Sequence, residues 1–204
     1  MKKTILTALV ALLIMSAVSV AQVSTPGLPF SVYAGGALSL PSSPEGFRDG
    51  WKFGYHGMIG AGFNVAPRIQ VIGKVEYHKF QSDLDTFGGS SVDGGGIKSI
   101  MFGVDGRLNL GAPVIPIKPY AIGGIGMASV TAEEYESTDP LIASSLNSGV
   151  DTETQSKVYY NFGAGVEFTL APKASLFVQA RYVNIATDGS STGFIPVTVG
   201  LKLF

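Results

Sequence analysis

Cysteine is absent from the 204 residues, which excludes disulfides, zinc–thiolate sites and the acylated cysteine of a lipoprotein. Charge is scarce too: Asp, Glu, Lys and Arg make up 14% of the chain, against roughly 25% in soluble domains. A surface facing water on every side would be short of charge. The formal net charge of -1 provides no basic footprint for nucleic acid. Beyond the first 21 residues there is no helix-length apolar run free of Gly, Pro or charge, which argues against a polytopic helical membrane protein. Glycine abounds, at 27 residues, as do aromatics, with 12 Phe, 8 Tyr and 1 Trp. That combination argues against a helical bundle or a disordered chain and predicts a β-rich protein.

The N-terminus points to an envelope compartment. Lys2 and Lys3 precede an apolar stretch from Ile5 to Met15, followed by small residues ending in Ser19-Val20-Ala21. This is the pattern of a removable secretory signal over residues 1–21, cleaved after Ala21. An uncleaved anchor is disfavoured because the run is shorter than the roughly 20 residues a helical span needs.

From residue 30 onward the hydrophobic period is two. Phe53, Tyr55, Gly57, Ile59, Ala61, Phe63 and Val65 share one face; His56, Met58 and Asn64 share the other. Ile69, Val71, Val75 and Tyr77 oppose Gln70, Lys74, Glu76 and His78; Ile100, Phe102, Val104 and Leu108 oppose Ser99, Asp105, Arg107 and Asn109. Val158, Tyr160, Phe162 and Phe168 oppose Lys157, Asn161 and Glu167. Strands near 30–40, 117–131, 174–186 and 193–203 complete eight, with the phase of 117–131 left open by Gly123-Gly124. Three connectors are short and carry Ala-Pro (66–67, 112–113, 171–172), where proline suits a turn or strand end. The alternate connectors, 41–51, 82–96 and 132–156, are long and polar. Tight turns at one end and long loops at the other are the asymmetry of an outer-membrane barrel.

Alternation alone does not say which face meets lipid. Glycines on the polar faces, such as Gly54, Gly60, Gly62, Gly103, Gly163, Gly165 and Gly200, suit the cramped interior of an eight-stranded barrel. Aromatics toward strand ends, among them Phe30, Trp51, Phe53, Phe63, Tyr77, Phe102, Tyr160 and Phe168, suit interfacial girdles. The expected fold is therefore all-β: an eight-stranded antiparallel up-and-down transmembrane β-barrel over residues 22–204, preceded by the signal peptide. A secreted lipocalin-like ligand-binding barrel, with the apolar face inward, is one alternative.

Lys118-Pro119-Tyr120 leading into the glycines at 123, 124 and 126, Ala180-Arg181-Tyr182, and the ending Val199-Gly200-Leu201-Lys202-Leu203-Phe204 resemble the OmpA/OmpX-type outer-membrane β-barrel superfamily. The resemblance spans essentially the whole mature chain and bears on architecture more than on activity. It implies a multi-pass barrel in the outer membrane of a diderm bacterium, in contact with lipid and lipopolysaccharide. It also implies insertion by a barrel-assembly machinery that reads a terminal aromatic, here Phe204. In this chain Val197, Val199, Leu201 and Leu203 share the lipid phase while Phe204 falls one residue out, so either the end bulges or Lys202 is misplaced.

Candidate chemistry lies in two groups. Lumen positions carry Lys74, Arg107, Arg181 and Lys202 against Glu76, Asp105 and Glu167, with His78 beside them. An isolated ion there would cost several kcal/mol, so a salt-bridged plug is expected ahead of a gated ion pathway, the small-porin alternative. The loop 132–156 holds Glu133, Glu134, Glu136, Asp139, Asp151 and Glu153; Asp83, Asp85 and Asp93 lie in 82–96. Such a field gathers cations or basic partners, which would suit a structural or adhesin-like role at the cell surface, although solvated surface charge is the plainer account of the acids. Their spacing fits no Ca²⁺ loop. An enzyme is not expected: His56 and His78 are the two histidines, and 180–185 lacks the His-x-Ser pair of the deacylase barrels. No cofactor, metal site or nucleic-acid partner is expected, and the chain is expected to be a monomer.

Overall fold

The computed structural model describes residues 30–82, 92–111, 117–137, 144, 147–148, 152–187 and 190–204. The expected signal peptide falls outside them, as do Asp83, Asp85, Asp139, Asp151 and Asp188.

In chain order the elements are β1 (Phe30–Ser43), α1 (Glu45–Gly50), β2 (Gly54–Ala66), β3 (Ile69–Gln81), β4 (Val92–Gly94), β5 (Gly96–Asn109), β6 (Ile117–Ala132), β7 (Tyr135–Ser137), β8 (Gln155–Ala171), β9 (Ala174–Thr187) and β10 (Ser190–Leu203). Eight long strands form a closed antiparallel barrel in which each pairs with its neighbour in sequence and β10 returns to β1. The closing register runs unbroken from Val32 opposite Leu203 to Pro41 opposite Phe194. Closure leaves no unpaired edge, which is what allows strands to cross hydrocarbon. The shortest barrel strands have 13 residues; at about 3.3 Å per residue and a tilt of about 40° they reach roughly 33 Å along the axis, enough to span a bilayer core. The three-residue strands β4 and β7 pair with each other within the long connections, which sequence alternation is too short to announce.

Every barrel strand is two-sided. On β3, Gln70, Ile72, Lys74, Glu76, His78 and Phe80 are buried, while Ile69, Val71, Val75 and Tyr77 are exposed. The open phase of 117–131, now β6, resolves the same way: Tyr120, Ile122 and Ala128 point in, Ile125 and Met127 out. The outer surface is thus a continuous apolar band far larger than a soluble monomer tolerates, and the interior is polar. A lipocalin-like barrel has the opposite polarity, so the secreted alternative is overturned.

Two apolar layers flank the centre of the lumen. Near the short turns, Tyr33, Met58, Ile72, Tyr120, Ile122 and Phe177 pack together. Near the long loops, Phe80, Met101, Tyr159, Val183 and Phe194 do so, joined by Phe47 of α1. Phe47 meets Phe80 edge-on at 5.3 Å, and Trp51 packs on Phe47 at 5.8 Å. Trp51 therefore belongs to a stopper across the loop end and not to an interfacial girdle. Large rings fit inside because glycine faces them. A Cβ on Gly165 would lie 2.5 Å from the Tyr120 ring, and Gly103 and Gly126 make the same room for Tyr159.

Candidate functional site

The centre of the lumen holds four ions from three strands. Lys74 Nζ lies 2.9 Å from Glu76 and 2.8 Å from Asp105. Arg181 binds Glu76 through both terminal nitrogens and sits 3.6 Å from Asp105. Asn161 Nδ2 donates to the other Asp105 oxygen at 2.9 Å. All four ions are buried, and their charges cancel. Period-two alternation dictates this convergence: each charge occupies an inward position on β3, β5 or β9, and lipid is the only other destination.

A second cluster lies toward the short turns. Arg107 pairs with Glu167, which Lys202 also approaches, at 3.3 Å. The Arg107 guanidinium is stacked 3.7 Å from the Tyr120 ring centre, and its Nε donates to Asn109 Oδ1 at 3.0 Å. Tyr33 completes the layer, bonded to Gln70 and accepting from Arg107 Nη1 at 3.4 Å. Here two cations share one carboxylate. Lys202 is a lumen residue, and the barrel end does not bulge at it. Phe204 leaves the strand, donates its N–H to Lys173 O at 3.2 Å and turns its ring to 4.3 Å from Lys202 Nζ.

His78 sits above the central ions with a neighbour that sequence alone does not supply. The β2–β3 register puts His56 directly opposite it, and the rings stack at 4.8 Å. Ser39 Oγ lies 3.2 Å from Nδ1 of both, and His56 Nε2 is 3.0 Å from Thr198 Oγ1. In sequence His56 stands between Tyr55 and Gly57, and only strand pairing reveals its partner. The same holds for Gln179, which accepts from Tyr120 at 3.1 Å.

At the loop end, Glu133 bridges two lysines. Lys79 is 3.1 Å away and Lys98 is in direct contact. These partners, Lys98 foremost, hold the Glu133 carboxyl below the usual carboxylate range. Its N–H donates to Gly96 O at 2.7 Å, and Gly95 N–H donates to Glu134 O at 3.0 Å, which fastens the β4–β7 pair to the barrel rim. Glu134 and Glu153 are exposed; Asp93 and Glu136 lie opposite each other in the β4–β7 register. Among the described residues, no group of three or more His, Cys, Asp or Glu is placed to hold a metal.

An eight-stranded closed barrel with an apolar outer band, a polar lumen and unequal ends defines the class of outer-membrane β-barrel proteins. The chain belongs to the outer membrane protein beta-barrel domain family, which it matches over residues 7–202. Neisserial surface protein A has a similar structure, at 18% identity and a TM-score of 0.59, covering 85% of this chain and 96% of that one. A major outer membrane protein from Thermus thermophilus follows at 11% identity and 0.52, covering 85% and 97%. Ail, the attachment invasion locus protein of Yersinia pestis, is 17% identical with a TM-score of 0.49, covering 85% and 97%. At these identities the likeness concerns the fold. No curated protein sequence matches the chain significantly. The protein is thus located in the outer membrane, with lipid against its outer face.

Proposed function

We propose that the mature protein, residues 22–204, is a side-chain-plugged outer-membrane barrel with a structural or surface-interaction, adhesin-like role and no turnover chemistry. Its long loops would face outward, where the acidic residues of 132–156 meet an extracellular partner or lipopolysaccharide. Both termini would face the periplasm, with Phe204 read by the barrel-assembly machinery. The observation that carries this proposal is the stopper: α1 folds Phe47 onto Phe80, above a lumen filled by ion pairs, in a barrel size that side chains just fill. A hydrolytic role finds no support in the Ser39–His56–His78 contact, because Ser39 and His78 are 0% exposed and no substrate reaches the hydroxyl.

Planar-bilayer recording of the wild type and Arg107→Met, paired with cation-dependent binding by the wild type and a variant lacking 134–153, which removes every acid of the loop except the lysine-bound Glu133, tests it. Arg107→Met is expected to lower stability by about 2 kcal/mol, since Glu167 keeps Lys202, without opening a conductance. Loop deletion is expected to abolish binding. A steady conductance in either protein would refute the plug, and unchanged binding after deletion would refute the loop role.

A further inference from the structure

The turn end of the barrel opens into a cavity of about 290 Å³. Arg68, from the β2–β3 turn, Lys118, from the start of β6, and Lys202 line it, with Glu167 as its one acidic side chain. Glu167 is already committed to Arg107 and Lys202. Neither Arg68 nor Lys118 has a side-chain polar partner among the described residues. Lys118 lies close enough to Lys202 for the two ammonium groups to repel. With Arg107 behind the wall, four cations converge on a space where Glu167 and, at most, the Phe204 carboxylate oppose them.

Like charges gathered around a cavity with low-dielectric walls focus a positive field into it. In a chain this sparing with charge, that arrangement is relieved by an anion. Arg68 offers a planar fork suited to two oxygens of one group, and Lys118 and Lys202 offer point charges. Asn109, whose Oδ1 accepts from Arg107, has its amide NH₂ left to donate. The volume exceeds a lone oxyanion and sits at the lower edge of small-molecule sites, about 300 Å³. We propose that this vestibule binds a phosphate-bearing anion through Arg68, Lys118 and Lys202, either a lipid phosphate headgroup or a soluble phosphate compound. The site is independent of any role at the loop end.

The test uses the folded protein in uncharged maltoside micelles. Isothermal titration with inorganic pyrophosphate probes the soluble source. Thermal unfolding in micelles doped with phosphatidylglycerol or with diacylglycerol, which lacks the phosphate, probes the lipid source. Variants are Arg68→Gln/Lys118→Gln, the charge-retaining Lys118→Arg, and Lys173→Gln, an exposed cation at the same end that does not line the cavity. Heat-dependent gel mobility verifies that each is folded. Pyrophosphate binding weakened at least about tenfold in the double variant, a loss equivalent to one charge-assisted contact, supports a soluble ligand. Stabilisation by phosphatidylglycerol alone, lost in the double variant, supports a lipid headgroup. In either case Lys118→Arg and Lys173→Gln should behave as the wild type. A response that the double variant does not change, an equal loss in Lys173→Gln, or no response to either probe overturns the proposal.

Discussion

Arg181 is the sharpest probe of how the lumen is held. Its side chain is 0% exposed, bonded to Glu76 and 3.6 Å from Asp105, while Lys74 bridges the same two carboxylates. Arg181→Met preserves most of the volume but leaves two carboxylates sharing Lys74, one negative charge in excess where water does not reach. Breaking a buried pair from one side costs about 3–5 kcal/mol, or roughly two to four powers of ten in the folding equilibrium. Adding Glu76→Gln removes the excess and leaves the 2.8 Å Lys74–Asp105 pair intact. The double variant should therefore be more stable than Arg181→Met by about 2 kcal/mol, although it lacks more interactions. Urea unfolding in lipid vesicles measures this through Trp51, the single tryptophan, whose contact with Phe47 is lost on unfolding. Additive losses, with the double variant the least stable, would refute charge balance as the organising term.

Gly165→Ala puts a methyl 2.5 Å from the Tyr120 ring and 2.6 Å from Val178 O, and is expected to destabilise by about 1–3 kcal/mol. Gly165→Ala/Tyr120→Leu should recover part of that loss in the same vesicle assay, and no recovery would show that the backbone contact dominates. Glu133 has a carboxyl held low by Lys98 and Lys79, so its ion pairs are complete above the ordinary Glu value of about 4.3 and are lost as pH falls through the lower folded value. A carbon-13 titration of the Glu133 carboxyl should show a midpoint below that value, moving up in Lys98→Gln; equal midpoints in the two proteins would count against the bridge.

The strands were legible because a barrel in lipid imposes one rule on every position. Inward charge on β3, β5, β8, β9 and β10 follows from period two, and Lys74, Glu76, Asp105, Arg107, Glu167, Arg181 and Lys202 all occupy the inner phase. Aromatics are different. A ring suits lipid, an interface or a lumen equally, so Tyr33, Tyr120, Tyr159, Phe177 and Phe194 carry no mark of their inward burial. Tyr33, Tyr120, Tyr159 and Phe177 are seated by glycines of other strands, such as Gly165 for Tyr120, and that match exists only once register is known. The His56–His78 stack and the β4–β7 pair are equally non-local. Phe47 escapes for another reason: α1 has six residues, too few to display a helical period.

Charge placement also locates the edges of the membrane. Lys79 and Lys98 are directly paired across β3 and β5 on the outward phase, where like charges repel and hydrocarbon forbids either ion. They are tolerated because Glu133 bridges them above the apolar band. One outward-facing pair further in, the band begins with Tyr77 and Ile100 and continues to Ile69 and Leu108, which pair at the turn end. Eight residue steps at about 3.3 Å and 40° tilt give roughly 20 Å, close to the approximately 25 Å apolar height of such barrels. Beyond the other edge lie Arg68, Lys118 and the exposed Lys173, none with an acidic side-chain partner among the described residues. The two rims thus differ in kind: the loop-end rim bridges its paired lysines with a glutamate from its own loop, whereas the turn-end rim leaves Arg68 and Lys118 to an anion from outside.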